Sequence, residues 1–279
     1  MDGLGRFVLT ADAIVSLVSG LILFFAPSQV GDLILLRKTD GVHWHLIRCV
    51  GGQIISGAYF FYRLRYRATE TKTSCYIVRI FSSILCIFLF YNAISVHKNA
   101  FNLFILRIFI YSCFGTLALY VLLLLGSGWK LGSTLYAQNR VGNILYQLDT
   151  IASITIGMAW MSHPQWLLHR QVQVTMDESH EICGRIMGAL FVASQAISAH
   201  ALHWQNHSDR SMAAEARTVC CLFILAAQIW SQVAYGKHWS GGHWVGISLF
   251  SSWTVIALTY RIYIICTSPE VAQSKQKTK

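Results

Sequence analysis

Two aspartates lie where carboxylates are costly. Asp12 and Asp149 each fall inside an apolar stretch, close to one of its ends. A carboxylate in hydrocarbon costs several kcal/mol unless it is paired or reaches water. Two arginines, Arg79 and Arg217, enter other apolar stretches from the same side at a similar depth. The expected pairs are therefore Asp12–Arg79 and Asp149–Arg217. Arg48 and Arg185 lie toward the opposite face. Arg185 has Glu181 one helical turn before it, and Arg48 is expected to use Asp40 or Asp32. These six charges form the candidate intramembrane polar site. Two roles suit them: a structural clamp in each half of the chain, or a polar site for a ligand headgroup or ion.

Histidines are the second group with possible chemistry. Eight of the eleven (His43, His45, His97, His163, His169, His180, His238 and His243) fall on one side of the apolar stretches. Neutral imidazoles bind metals and sense pH, but no tight ligand set stands out, so no metal or haem is expected. His200, His203 and His207 share a helix face at spacings of three and four. Membrane di-iron oxygenases use similar boxes, yet they need many more histidines converging on one face. Walker, GxGxxG, GxSxG and HExxH motifs are absent. Eight cysteines show no CxxC spacing and read as small buried hydrophobes rather than a disulfide framework. No catalytic residue or cofactor is assigned, and the balance leans away from an enzyme.

The elements that position these residues follow from composition. Hydrophobic residues make up 54% of the chain and charged ones only 12%, against about a quarter charged in soluble domains. The fold class expected is an all-α integral membrane protein with eight transmembrane helices, arranged as two parallel tandem four-helix repeats. The spans read as Phe7–Ala26, Trp44–Tyr62, Ser74–Val96, Asn102–Leu125, Gly142–Met161, Glu181–His203, Ala216–Tyr235 and Trp244–Cys266. Each has roughly the 20 residues that cross a bilayer core. Seven of the nine tryptophans fall near span ends, where an amphipathic ring suits the headgroup layer. Loop cations divide eleven to five in favour of the side that holds both termini, which places that side in the cytosol. The +10 net charge is thus a matter of topology, and no nucleic acid is expected as a partner. The first apolar stretch is a full span with one basic neighbour, Arg6, so it is expected to remain as a helix rather than be cleaved.

Sliding the chain by 137 residues aligns Asp12 with Asp149, Ile14 with Ile151, Ser16 with Ser153, Gly20 with Gly157 and Pro27 with Pro164. Without a gap it also aligns Asp40 with Asp177, His43 with His180, Arg48 with Arg185 and Gly51 with Gly188. Composition alone would give roughly three such matches over the same stretch. The expected organisation is a first membrane repeat at 1–126, a cytosolic linker at 127–141, a second repeat at 142–266 and a cytosolic tail at 267–279. An even number of spans makes the copies parallel, related by an axis along the membrane normal. In the tail, Lys275 and Lys277 resemble the dilysine signal by which coat proteins return membrane proteins to the endoplasmic reticulum. The one sequon, Asn206-His207-Ser208, is expected in the cytosol.

Together these point to a multi-pass protein of the endoplasmic reticulum membrane. Its expected role is non-enzymatic binding or transport of a small molecule, lipid or ion, with membrane lipids around it and coat proteins at its tail. Two alternatives belong to other classes: a membrane-embedded lipid-modifying enzyme, and an assembly or trafficking factor for membrane proteins. A deep pocket at the charges would favour a ligand or an enzyme; charges spent wholly in ion pairs would favour assembly.

Overall fold

The computed structural model describes residues 2–132, 135–169, 171–239 and 243–267. Among these residues helix is the only extended regular structure, beside two isolated antiparallel bridges, Leu35 to Phe101 and Val172 to Trp239. Eight helices are long: α1 (Asp2–Phe25), α3 (Gly41–Leu64), α4 (Thr69–Val96), α5 (Leu103–Gly126), α6 (Arg140–Ser162), α8 (Glu178–Ala201), α9 (His207–Ala234) and α10 (Trp244–Thr267). Two are short, α2 (Pro27–Ile34) and α7 (Pro164–Leu168), and each opens on a proline. A proline fits the first turn, where its missing N–H would have no partner anyway. Lys275 and Lys277 lie outside the described residues, as does Arg170, one of the five cations expected on the side away from the termini.

Asparagine and aspartate set the helix starts. Asp40 caps α3, Asn102 caps α5, Asn139 caps α6, Asp177 caps α8 and Asn206 caps α9, each side chain accepting from backbone N–H groups of the first turn. The cap at Asn206 starts α9 nine residues before the span expected from hydropathy. That first stretch, with Asp209, Arg210 and Glu215, is polar but buried, so an apolarity criterion passes over it.

Packing is closest where glycines meet. α1 crosses α3 at Gly20 and Gly51, where a Cβ on Gly51 would lie 2.7 Å from the Gly20 carbonyl oxygen. α6 crosses α8 at Gly157 and Gly188 in the same manner, at 2.6 Å from Gly188 to the Gly157 oxygen. No side chain fits in either place. α3 packs on α8 and α9, and α4 packs on α8, so these four helices form the centre; α1, α5, α6 and α10 lie outside them.

Polarity is inverted relative to a water-soluble bundle. The interior holds Arg48, Lys72, Arg210, Arg217, His43 and His45, all under one-tenth exposed, while Phe7, Val15, Phe88, Phe104, Tyr111 and Val233 face outward. So wide an apolar exterior marks a surface that meets lipid or other apolar partners. Six helices (α1, α4, α5, α8, α9 and α10) are long and apolar enough to cross a membrane. α3 and α6 match them in length but have no continuous stretch of that apolarity. For α3 the reason is position: 18 of its 24 residues are buried by neighbouring helices, so it needs no lipid-facing stripe.

Candidate functional site

The structure brings Arg79 from α4 onto Asp12 from α1 as a bidentate pair, with Nε 2.7 Å from Oδ2 and Nη2 2.6 Å from Oδ1. Tyr120 on α5 donates to the same carboxylate, and Ser16, one turn along α1, donates at 2.9 Å. The Arg79 guanidinium lies 4.6 Å from the Phe61 ring centre. Planar guanidinium and carboxylate groups match in two parallel hydrogen bonds, which fixes α1, α4 and α5 against one another.

Arg217 on α9 and Asp149 on α6 meet with Nε 2.8 Å from Oδ1 and 3.1 Å from Oδ2. Around this pair the supporting residues differ. Arg217 also donates to Ser153 at 2.8 Å and Ser194 at 3.4 Å, Ser198 donates to Asp149, and Trp253 donates its indole N–H to Asp149 at 2.9 Å. The Trp253 ring lies under the Arg217 guanidinium at 5.1 Å.

Two cavities touch these charges. A small one of about 60 Å³ lies between α3, α4, α8 and α9 and is lined by both Arg79 and Arg217. It has room for about two waters. Gln53 reaches it, and its Oε1 has no hydrogen-bond partner among the described residues. The larger cavity, about 270 Å³, lies between α6, α9 and α10. Its walls are mostly apolar, with Asp149, Arg217, Trp253 and Tyr260 among them. Arg217 and Ser198 belong to the walls of both.

A third cluster sits where the N-termini of α3 and α8 meet. The His43 and His180 rings lie against each other at a tilt of 32°, with ring centres 3.6 Å apart. Asp40 reaches both rings, Oδ1 lying 3.1 Å from His43 Nδ1 and Oδ2 3.0 Å from His180 Nε2. Asp177 lies 2.9 Å from His180 Nδ1 and takes an ion pair from Arg37 at 2.8 Å. Burial works against the Asp40 carboxylate, but its contacts with His180 and His43 hold it well below the usual range. Asp177 is held down likewise, against burial, by Ser179, Arg37 and His180.

One family model, described as a domain of unknown function (DUF8292), matches residues 10–262. The chain belongs to the DUF8292 family. The match runs from α1 to α10 and takes in both charge pairs and the histidine cluster. Neither a curated protein nor a solved structure matches the chain.

The other expected partners in this DUF8292 chain divide. Arg185 pairs with Glu181 at 3.0 Å. Arg48 meets neither Asp40 nor Asp32. It donates to the Phe24 carbonyl at 2.8 Å and to the Tyr235 hydroxyl at 3.2 Å, and it lies over the rings of Phe24, Trp230 and Tyr235. Its positive charge is thus met by a carbonyl dipole and π-faces rather than by a carboxylate. Asp40 and Asp32 are occupied elsewhere, with the histidines and with Thr39.

Sequence reasoning passed over two residues at the other end of α9. Arg210 is fully buried, donating to the Ala201 carbonyl and Asn143 at 2.7 Å each, between the rings of Tyr136 and Tyr146. Glu215 gathers Arg63 at 3.0 Å, Arg261 at 2.5 Å and the Tyr59 hydroxyl. His200 and His207 do not converge on a metal: His200 meets Ser74 and His207 meets Tyr136. The missed signal for the histidine cluster was an Asp-x-x-His spacing present twice, at 40–43 and 177–180.

Proposed function

We propose that this DUF8292 protein is an eight-span protein of the endoplasmic reticulum membrane that binds a lipid-class amphiphile non-enzymatically in its second half. In this reading α1, α3, α4 and α5 form one four-helix repeat. α6, α8, α9 and α10 form a second, parallel one, with the stretch 127–141 as a cytosolic linker. Features that recur at the same sequence spacing support the duplication: the Gly20–Gly51 and Gly157–Gly188 crossings, the Asp40 and Asp177 caps, and the bridges at Leu35 and Val172. Helices of 23 to 28 residues support eight spans, since at about 1.5 Å per residue each exceeds a core of about 30 Å. The lysine-rich tail, with Lys275 and Lys277, supports retrieval by coat proteins.

One observation carries the binding role. The Asp149–Arg217 pair lines the apolar 270 Å³ cavity, and Trp253 and Tyr260 stand beside it. An apolar chamber with a few convergent polar groups suits a ligand with a greasy body and one polar end. Arg217 and Asp149 would meet the polar end, while Leu145, Ile156 and Ala257 would hold the body.

The test is native mass spectrometry of the full chain released from detergent. Wild type retains a co-purifying lipid, and Ala152→Trp, which fills the cavity from α6, loses it. Equal retention by both would sink the reading.

A further inference from the structure

We propose that Asp40, His43 and His180 form a binding site for a divalent late first-row transition metal, of which zinc is the probe of choice. Their ligand atoms lie within 4.8 Å of one another, and the two imidazole side chains are only 2% and 3% exposed. Ser179 has one hydroxyl hydrogen, and it is donated to Asp177. The contact of 2.8 Å between His43 Nε2 and Ser179 Oγ must therefore use a hydrogen on Nε2. A neutral imidazole has one N–H, so in the neutral ring His43 Nδ1 is the nitrogen free to bind a metal beside Asp40.

His180 meets the other Asp40 oxygen. Its Nδ1 lies 2.9 Å from the Asp177 carboxylate, nearer than the 3.2 Å to the Asp177 backbone N–H. In the capping box the Asp177 N–H donates to Nδ1 and Nε2 faces Asp40; a metal on Nε2 would move the ring hydrogen to Nδ1, where the Asp177 carboxylate stands ready to accept it. His43 Nδ1, His180 Nε2 and the Asp40 carboxylate thus face one small volume, where a metal ion would take the place of ring hydrogens. The separations from Asp40 to the two nitrogens, 3.0 and 3.1 Å, are close to the ~3.3 Å between ligands in a tetrahedral site with bonds of about 2.0–2.1 Å. Ser179 and Asp177 act as positioning residues, placed to accept the outer hydrogen of each ring when its inner nitrogen binds the metal, as outer partners of metal-bound histidines do.

The experiment uses the full chain in detergent, stripped with a chelator and titrated with Zn²⁺, with metal content and melting temperature as readouts. Wild type should retain one zinc per chain and melt at a higher temperature with zinc than without. His43→Gln should lose both effects. Should His43→Gln fail to fold, Ser179→Ala, which keeps every ligand, serves instead and should weaken zinc binding about 10-fold or more. Co²⁺ added to wild type should give the intense visible absorption of a four-coordinate site. Two results would overturn the proposal: zinc retention and zinc-dependent melting equal in wild type and variants, or a Co²⁺ spectrum that stays that of the aqueous ion. Either would make the cluster a hydrogen-bonded clasp only.

Discussion

Removing one member of a buried ion pair costs more than removing both, because the survivor is left charged and unpartnered. Asp12→Leu should therefore destabilise the protein by about 3–5 kcal/mol, and adding Arg79→Leu should recover part of that loss, read from the midpoint of unfolding in mixed detergent. Equal losses for the single and double variants would mean that the pair is not coupled. A second residue reports through pH. Burial pushes the His243 imidazole, packed on Trp239 at 3.8 Å, down to about 4. Free histidine titrates near 6.5. Between roughly pH 6.5 and 4 the unfolded chain binds a proton there that the folded chain does not, so stability falls as the pH is lowered through that window. His243→Phe should remove that part of the slope in melts taken at pH 7 and pH 5. The legibility of such residues depended on their type. A charge inside an apolar run announces its need for a partner, which is why Asp12, Arg79, Asp149 and Arg217 stood out. Arg48 announced the same need, but carbonyls and aromatic faces leave no charge signature in sequence, so its partners were misassigned.

At the scale of elements, the glycine crossings govern how near α1 comes to α3 and α6 to α8. Gly188→Leu should destabilise strongly, since a Cβ there meets the Gly157 oxygen at 2.6 Å. Gly57→Ala, on α3 with nothing within 4 Å of its added Cβ, should be close to neutral. Detergent melts of both variants test this, and a tolerated Gly188→Leu would mean the crossing is looser than described. Helix positions followed well from hydropathy because apolar length dominates in a chain of this composition. The start of α9 did not, since its first turns are polar and buried against Tyr136, Tyr146 and α3. Nor did the meeting of the α3 and α8 N-termini. Each Asp-x-x-His is visible locally as a cap, but only tertiary packing brings His43 to His180.

Across the whole molecule the central claim is topological: eight crossings, two parallel halves, and both termini in the cytosol. The claim matters because α3 and α6 are the two long helices outside the six that are apolar enough to cross a membrane. If they did not cross, the stretch after α5 would change sides. Sequons placed by single substitutions read this out in cells. Gln173→Asn creates Asn-Val-Thr in the loop before α8, and Leu131→Asn creates Asn-Gly-Ser in the linker after α5. The eight-span account predicts a glycosidase-sensitive shift in mobility for Gln173→Asn and none for Leu131→Asn, with the native Asn206 also unmodified. A glycan on Leu131→Asn would contradict it.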